Sequence, residues 1–260
     1  MFYIIYMLKQ IDKLCLETRN LKTNALLFLP ENQSPKHCAI FSHGYTSHKG
    51  SILTWAQKLM DIDIPCVIFD LPGHFLGSFN NVKRFEYFKN ESHLLFDNAF
   101  RHVQQTFPGH KLSAIIGGHS LGALMSLKAC QEFSYFNNSI CVGLGRLEIN
   151  EKHLFNAPLF EQTMVLRAEL VSSSIHPKKV LPWISQLKNH IKLSNKTIYL
   201  LAGKDDLVVG GENGVLRMQE ALSGNNVHIE LVPKLPHHEP ERAGIFIKKL
   251  VKNFFLRQSF

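Results

Sequence analysis

Apolar positions along this chain fall in short runs separated by longer amphipathic stretches, so two periodicities alternate. Residues 11–30 alternate apolar and polar positions on either side of Thr18-Arg19-Asn20-Leu21-Lys22-Thr23-Asn24. That pattern predicts an antiparallel hairpin with Ala25-Leu26-Leu27-Phe28-Leu29 as its second arm. After a Pro/Asn/Ser turn at 31–36, compact apolar runs predict strands over residues 37–42, 65–70, 113–117, 139–144, 197–202 and 227–232. Helical stretches are predicted around 50–61, 91–106, 121–130, 212–222 and from about 240 onward. Strands alternating with helices imply a mainly parallel sheet covered on both faces, and the opening hairpin makes it mixed.

Residues 146–192 break this rhythm. They hold helical stretches near 160–171 and 180–188, punctuated by Pro158, Pro177 and Pro182, and no good strand. We read the segment as a helical cap inserted after the sixth strand of a single domain spanning 1–260. The plainer alternative is an elaborate crossover with no part in binding.

Composition narrows the class. The 260 residues are 45% hydrophobic and 19% charged, which suits one domain with a sizeable core. Cys15, Cys38, Cys66, Cys130 and Cys141 are scattered, and none makes a Cys-x-x-Cys pair. They predict reduced, mostly buried thiols in a cytoplasmic protein. The apolar start Met1–Leu8 is too short to span a bilayer and predicts a first strand or a tail rather than an anchor. The net charge of +8 is dispersed, with no basic run that would mark a nucleic-acid module. Near the C-terminus, Ile245, Phe246, Leu250, Val251, Phe254 and Phe255 predict one stripe of a last helix packed on the sheet, in preference to a lipid-binding face.

The chemistry centres on Gly118-His119-Ser120-Leu121-Gly122. A Gly-x-Ser-x-Gly pattern is a nucleophile elbow when a strand enters it and a helix leaves it. Here Leu112–Gly117 is a short apolar run, and Leu121–Cys130 is a helix-like one without proline. Such a turn strains the serine backbone, and glycine at 118 and 122 removes the Cβ atoms that would crowd it. A serine hydroxyl needs a base to take its proton, and the base needs a carboxylate to fix its tautomer. In a parallel sheet these groups belong on loops at the carboxyl ends of strands. The loop after strand 197–202 offers Asp205 and Asp206, of which Asp206 precedes an apolar stretch that can bury it. The loop after strand 227–232 offers His237 and His238, with His237 better placed by loop length. Oxyanion donors are expected at the backbone N–H groups of Leu121 and, in the loop after strand 37–42, of Tyr45. His43 in that loop reads as structural.

Together these pieces resemble the α/β-hydrolase-fold serine hydrolases. The chain is most similar to small carboxylesterases and to acylglycerol or cinnamoyl-ester hydrolases of the serine aminopeptidase-like branch. The matching residues are Ser42–Lys49, Phe69-Asp70-Leu71-Pro72-Gly73-His74, the elbow, Gly203-Lys204-Asp205-Asp206 and Leu235-Pro236-His237, in order along nearly the whole chain. The resemblance implies Ser120 as nucleophile, Asp206 as acid, His237 as base, Tyr45 and Leu121 as oxyanion donors, and a helical lid after the sixth strand. The chain departs from the pattern at Phe75 and Leu76, which lengthen the loop after Pro72-Gly73-His74 toward the acyl pocket, and at Pro236 before the histidine.

The function expected is cleavage of carboxylic esters or thioesters through an acyl-serine. Alternatives are amide or aminopeptide cleavage, acyl transfer or C–C hydrolysis on the same machinery, and a non-catalytic binding protein on the same fold. An aminopeptidase would need cap carboxylates for the substrate amine, and Glu148, Glu151, Glu161 and Glu169 are the candidates. Leu154, Phe155, Phe160, Met164, Leu166 and Trp183 give the cap an apolar character suited to an apolar acyl or aromatic group. The expected partner is a small-molecule ester, without nucleic acid or stable membrane insertion, and no metal or organic cofactor is indicated.

Overall fold

The structure, a computed structural model, describes residues 10–31, 34–147 and 158–256, with no side chains described at 158–162. The Met1–Leu8 segment, Glu148, Glu151, Leu154 and Phe155, and the side chains of Phe160 and Glu161, therefore lie outside the described residues. Strands β1 (Gln10–Glu17) and β2 (Lys22–Leu29) form the expected hairpin, in register from Gln10 opposite Leu29 to Glu17 opposite Lys22. They are followed by β3 (His37–Ser42), β4 (Cys66–Phe69), β5 (Ser113–His119), β6 (Asn138–Val142), β7 (Thr197–Gly203) and β8 (Asn226–Val232). All eight join one sheet in the order β1-β2-β4-β3-β5-β6-β7-β8. Pairing is antiparallel at β1/β2 and β2/β4 and parallel elsewhere.

The helices are α1 (Leu53–Met60), α2 (Phe85–Glu91), α3 (Leu95–Thr106), α4 (Leu121–Glu132), α5 (Pro158–Glu169), α6 (Pro177–His190), α7 (Gly211–Ala221) and α8 (Gly244–Val251). Side chains alternate across each strand, so one strand feeds two cores. Cys38 and Ile40 of β3 join Leu95, Phe96, Leu124 and Met218 on one face, while Ala39 and Phe41 join Trp55, Leu59, Ile247 and Leu250 on the other. Fully burying side chains of this size stabilises by about 1.5–3 kcal/mol each before entropy is counted. This two-sided burial is why the strands read as continuous apolar runs. Trp55 is fully buried yet satisfied, because its indole N–H donates to the Pro240 carbonyl at 2.7 Å.

The last helix corrects one expectation. The buried stripe is Ile247, Leu250, Val251 and Phe255, whereas Ile245 is 61% exposed and Phe254 only partly covered. Ile245 lies on the opposite side of α8 from Ile247 and Leu250, and a wider turn at Lys252–Leu256 carries Phe255 back onto the sheet. No described helix is long and apolar enough to cross a membrane.

Topology fixes where a ligand can bind. From β3 the chain passes to β4 on one side, and β5 then lies on the other side of β3. The loops leaving the carboxyl ends of β3 and β5 therefore diverge, and a crevice opens between them. Those loops begin at His43 and at Ser120.

Candidate active site

Ser120 sits at this crevice, between β5 and α4, with φ 50° and ψ −109°. A non-glycine residue there carries about 1–3 kcal/mol of backbone strain, which the surrounding structure must hold. The Ser120 N–H donates to the Val142 carbonyl at 2.8 Å, and the Ser120 carbonyl accepts from Leu124 N–H, starting α4. A Cβ on Gly118 would stand 2.4 Å from the Ser42 carbonyl oxygen, and one on Gly122 would stand 2.3 Å from it. Only glycines allow β3, β5 and α4 to close so tightly around the turn.

The carboxylate and the imidazole meet across two loops. Asp206, 6% exposed, follows β7 and accepts Val208 N–H on Oδ1 at 3.0 Å. Its Oδ2 lies 2.8 Å from His237 Nδ1. A carboxylate only accepts, so Nδ1 carries the proton and Nε2 is left with a free lone pair. A Cβ on Gly203 would stand 2.1 Å from the Leu235 carbonyl, so glycine there lets the two loops approach. Asp205 is exposed. His238 is also solvent-facing, with 81% of its side chain exposed and Glu239 beside it at 3.5 Å.

The loop after β3 is braced on both sides. Leu71 N–H donates to His43 Nε2 at 2.9 Å, so the proton of this imidazole is on Nδ1 and is donated to the Gly44 carbonyl at 2.8 Å. Burial holds the His43 pKa down to about 3, so the ring stays neutral. It thereby ties the β3 loop to the β4 loop, the structural part expected of it. A Cβ on Gly44 would lie 3.3 Å from Ser120 Cβ, so this backbone passes directly beside the serine. Beyond it, the Tyr45 hydroxyl donates to the Ile175 carbonyl at 2.7 Å, and Arg167 Nη1 donates to Thr46 Oγ1 at 2.6 Å. Thr46 has a positive φ of 60°. Leu121, the other residue of interest, is the first of α4, where backbone N–H groups have no partner within the helix.

His119 is buried against this group. Its ring lies 4.7 Å from that of His237, centroid to centroid, and burial pushes its pKa well below the usual histidine range. Its Nδ1 has no hydrogen-bond partner among the described residues.

Ser120, His119, His237, Gly44 and Tyr45 line one cavity of about 550 Å³. Its far wall comes from the segment between β6 and β7: Thr163 and Arg167 of α5, and Leu181, Ile184, Ser185 and Lys188 of α6. Val208 and Val209 add apolar surface. Arg167 and Lys188 were not anticipated from the sequence. The available signal was spacing, because 163/167 and 181/184/185/188 are each one helical face. The apolar residues expected of this segment lie elsewhere where they are described. Trp183 packs edge-on against Phe85 and Phe88, and Leu166 is 63% exposed. Phe75 and Leu76 are not among the described residues lining the cavity. Phe75 N–H instead donates to the Leu170 carbonyl, and Ser172 N–H donates to that of Gly73, so this loop is tied to the β6–β7 segment.

Comparison with known proteins agrees with this geometry at the level of the fold. A family model described as serine aminopeptidase, S33, matches residues 33–143. A search of curated proteins finds no match. Among solved structures, a highly thermostable carboxyl esterase from Bacillus coagulans superposes with a TM-score of 0.68 at 16% identity, covering 95% of this chain and 98% of that one. An esterase of Pyrococcus furiosus gives 0.68 at 16% identity, covering 96% and 91%. Est1E from Butyrivibrio proteoclasticus gives 0.59 at 16% identity, covering 95% and 98%. The chain thus has the α/β-hydrolase fold, and residues 33–143, less than half of it, are similar to the family model described as serine aminopeptidase, S33.

Proposed function

We propose that this chain is a serine hydrolase that cleaves carboxylic esters or thioesters through an acyl-Ser120 intermediate. The observation that carries the reading is the Asp206 Oδ2–His237 Nδ1 contact of 2.8 Å, with His237 lining the same cavity as Ser120. In the reaction, Ser120 Oγ attacks the ester carbonyl carbon while its proton passes to His237 Nε2. Asp206 holds the ring and stabilises its cationic form. The oxyanion is met by the backbone N–H groups of Tyr45 and Leu121, the latter at the positive end of α4. The C–O bond to the leaving alcohol breaks as His237 returns the proton to it. Water then gives a proton to the same nitrogen and attacks the acyl carbon, and as the Ser120 Oγ–carbon bond breaks His237 returns that proton to Oγ, releasing the acid and restoring Ser120. The helical segment between β6 and β7 acts as the cap over this site, since α5 and α6 supply its outer wall.

The printed names of the similar structures, an esterase in each of two cases and a carboxyl esterase in another, support ester cleavage. An aminopeptidase reading takes support from the family description alone. It needs a carboxylate for the substrate ammonium, and no Asp or Glu is among the described residues lining the cavity. Glu169 is exposed.

Hydrolysis of 4-nitrophenyl butyrate and fluorophosphonate labelling test the reading. Wild-type protein is expected to turn over the ester and to label, and Ser120→Ala to lose at least about 10³-fold in kcat and all labelling. A Ser120→Ala protein as fast as wild type overturns it.

A further inference from the structure

His119 closes β5 directly before the nucleophile and pairs there with Val142 of β6. Its ring is therefore carried by the ladder of a central strand rather than by a loop. It is 6% exposed and lines the cavity beside Ser120 and His237. A polar ring in so dry a place is costly unless its nitrogens are used.

The two nitrogens have different surroundings. Nδ1 has no hydrogen-bond partner among the described residues. The ring does hydrogen-bond the main-chain carbonyl of His237, so that bond belongs to Nε2. A carbonyl only accepts, which places the proton on Nε2 and leaves Nδ1 bare. Glycines flank both edges of the ring. A Cβ on Gly44 would stand 2.7 Å from Nδ1, and one on Gly143 would stand 3.1 Å from Nε2 and 3.1 Å from Cε1 of His237. The imidazole thus fills a slot between the loops after β3 and β6, with its centroid 4.7 Å from that of His237. Burial keeps His119 neutral, so it adds no second charge when His237 takes up a proton.

Asp206 holds the base at a single atom, Nδ1. A ring held at one point can still swing about it, and the main chain of His237 lies in a loop between Pro236 and the exposed His238. The bond from His119 ties that main chain to the end of β5, one residue from the nucleophile.

We propose that His119 is a positioning residue for the base, fixing the main chain of His237 relative to Ser120 while Asp206 fixes the tautomer of its ring. This rests on the hydrolase reading above and adds a residue to its machinery. The role acts through His237 and calls for no contact with substrate.

Two measurements test it. The first uses wild-type protein and needs no turnover. In long-range 1H–15N spectra of histidine-labelled protein at pH 7.5, His119 is expected to show a protonated Nε2, and a bare Nε2 overturns the proposal. The second compares His119→Gln with His119→Met. The new side chains are of nearly equal length, and only the amide can donate near the place of Nε2. On 4-nitrophenyl butyrate, kcat of the His119→Gln protein is expected to exceed that of the His119→Met protein by at least about fivefold at similar KM, and the rate of fluorophosphonate labelling should follow kcat. Equal kcat in the two variants overturns the proposal and leaves the hydrolase reading standing, because the side chain then only fills space. A difference confined to KM also overturns it, in favour of a contact with substrate. The wild-type spectrum keeps the proposal refutable where a variant fails to fold. Wild-type protein that neither cleaves the ester nor labels overturns the hydrolase reading itself, and this role with it.

Discussion

His237 and His238 are adjacent in sequence and opposite in surroundings. One ring is aligned by a buried carboxylate at 2.8 Å, and the other is 81% exposed beside Glu239. The roles proposed above make them separable by substitution. His237→Ala should lower kcat on 4-nitrophenyl butyrate by at least about 10³-fold, whereas His238→Ala should stay within about twofold. Equal losses in the two variants would mean that the base has been assigned to the wrong ring. At this scale the sequence was informative about residue types and their order but not about direction. Ser120 and the pair of aspartates follow strand ends, where spacing locates them. The histidine was ambiguous because Pro236 breaks the usual approach to it, and the turn after β8 decides which ring faces Asp206. Arg167 and Lys188 were invisible for a related reason. A cation on an amphipathic helix looks like a solvated face until something is known to lie opposite it.

Among elements, the coupling between the loop after β3 and the β6–β7 segment stands out. The Tyr45 hydroxyl reaches the Ile175 carbonyl, Arg167 reaches Thr46, and the Gly73–Phe75 stretch pairs with Leu170–Ser172. The backbone that would donate to the oxyanion is thus anchored by the segment that would cover the substrate. Removing the Tyr45 hydroxyl leaves the backbone N–H in place but frees the loop from this tether. A net hydrogen bond is worth about 1 kcal/mol, so Tyr45→Phe should lower kcat about fivefold, with KM for a neutral ester little changed. An unchanged kcat with a raised KM would show that the tether positions the cap rather than the oxyanion loop. The regular elements themselves were largely legible, because apolar strands and amphipathic helices obey different periods. Boundaries moved where tertiary contacts take over. β5 runs on through His119 because it pairs with β6 as far as Val142. α6 continues past Pro182, although an internal proline argues for a break. The Phe75–Leu76 insertion was expected to turn inward, and hydrogen bonding to Leu170 turns it along the β6–β7 segment instead.

For the molecule as a whole, buried neutral histidines make the fold depend on pH. Burial holds His43, His74 and His93 at pKa values of about 3, and for His74 the neighbouring His43 adds to the effect. They brace different layers: His43 joins the β3 and β4 loops, His74 stacks edge-on with both His43 and Tyr45, and His93 lies under α4 near Lys128. The sign follows from linkage. An unfolded histidine titrates near 6.5, so between pH 6.5 and about 3 the unfolded chain binds protons that the folded chain refuses. Stability is therefore full above pH 6.5 and falls as the pH is lowered. Each such histidine removes about 1.4 kcal/mol between pH 7.5 and 5.5, a window above the range in which carboxylates titrate. Urea unfolding at pH 7.5, 6.5 and 5.5 should show a fall of at least about 4 kcal/mol from these three, to which the buried His119 adds in the same direction. His93 is the cleanest position to remove, because its Nδ1 is buried without a hydrogen-bond partner among the described residues. His93→Gln should reduce the fall by about 1.4 kcal/mol, whatever it does to stability at pH 7.5. Unfolding free energies that stay level from pH 7.5 to 5.5 would mean that these rings accept protons inside the fold, and that the bracing of the loop after β3 does not depend on a neutral His43.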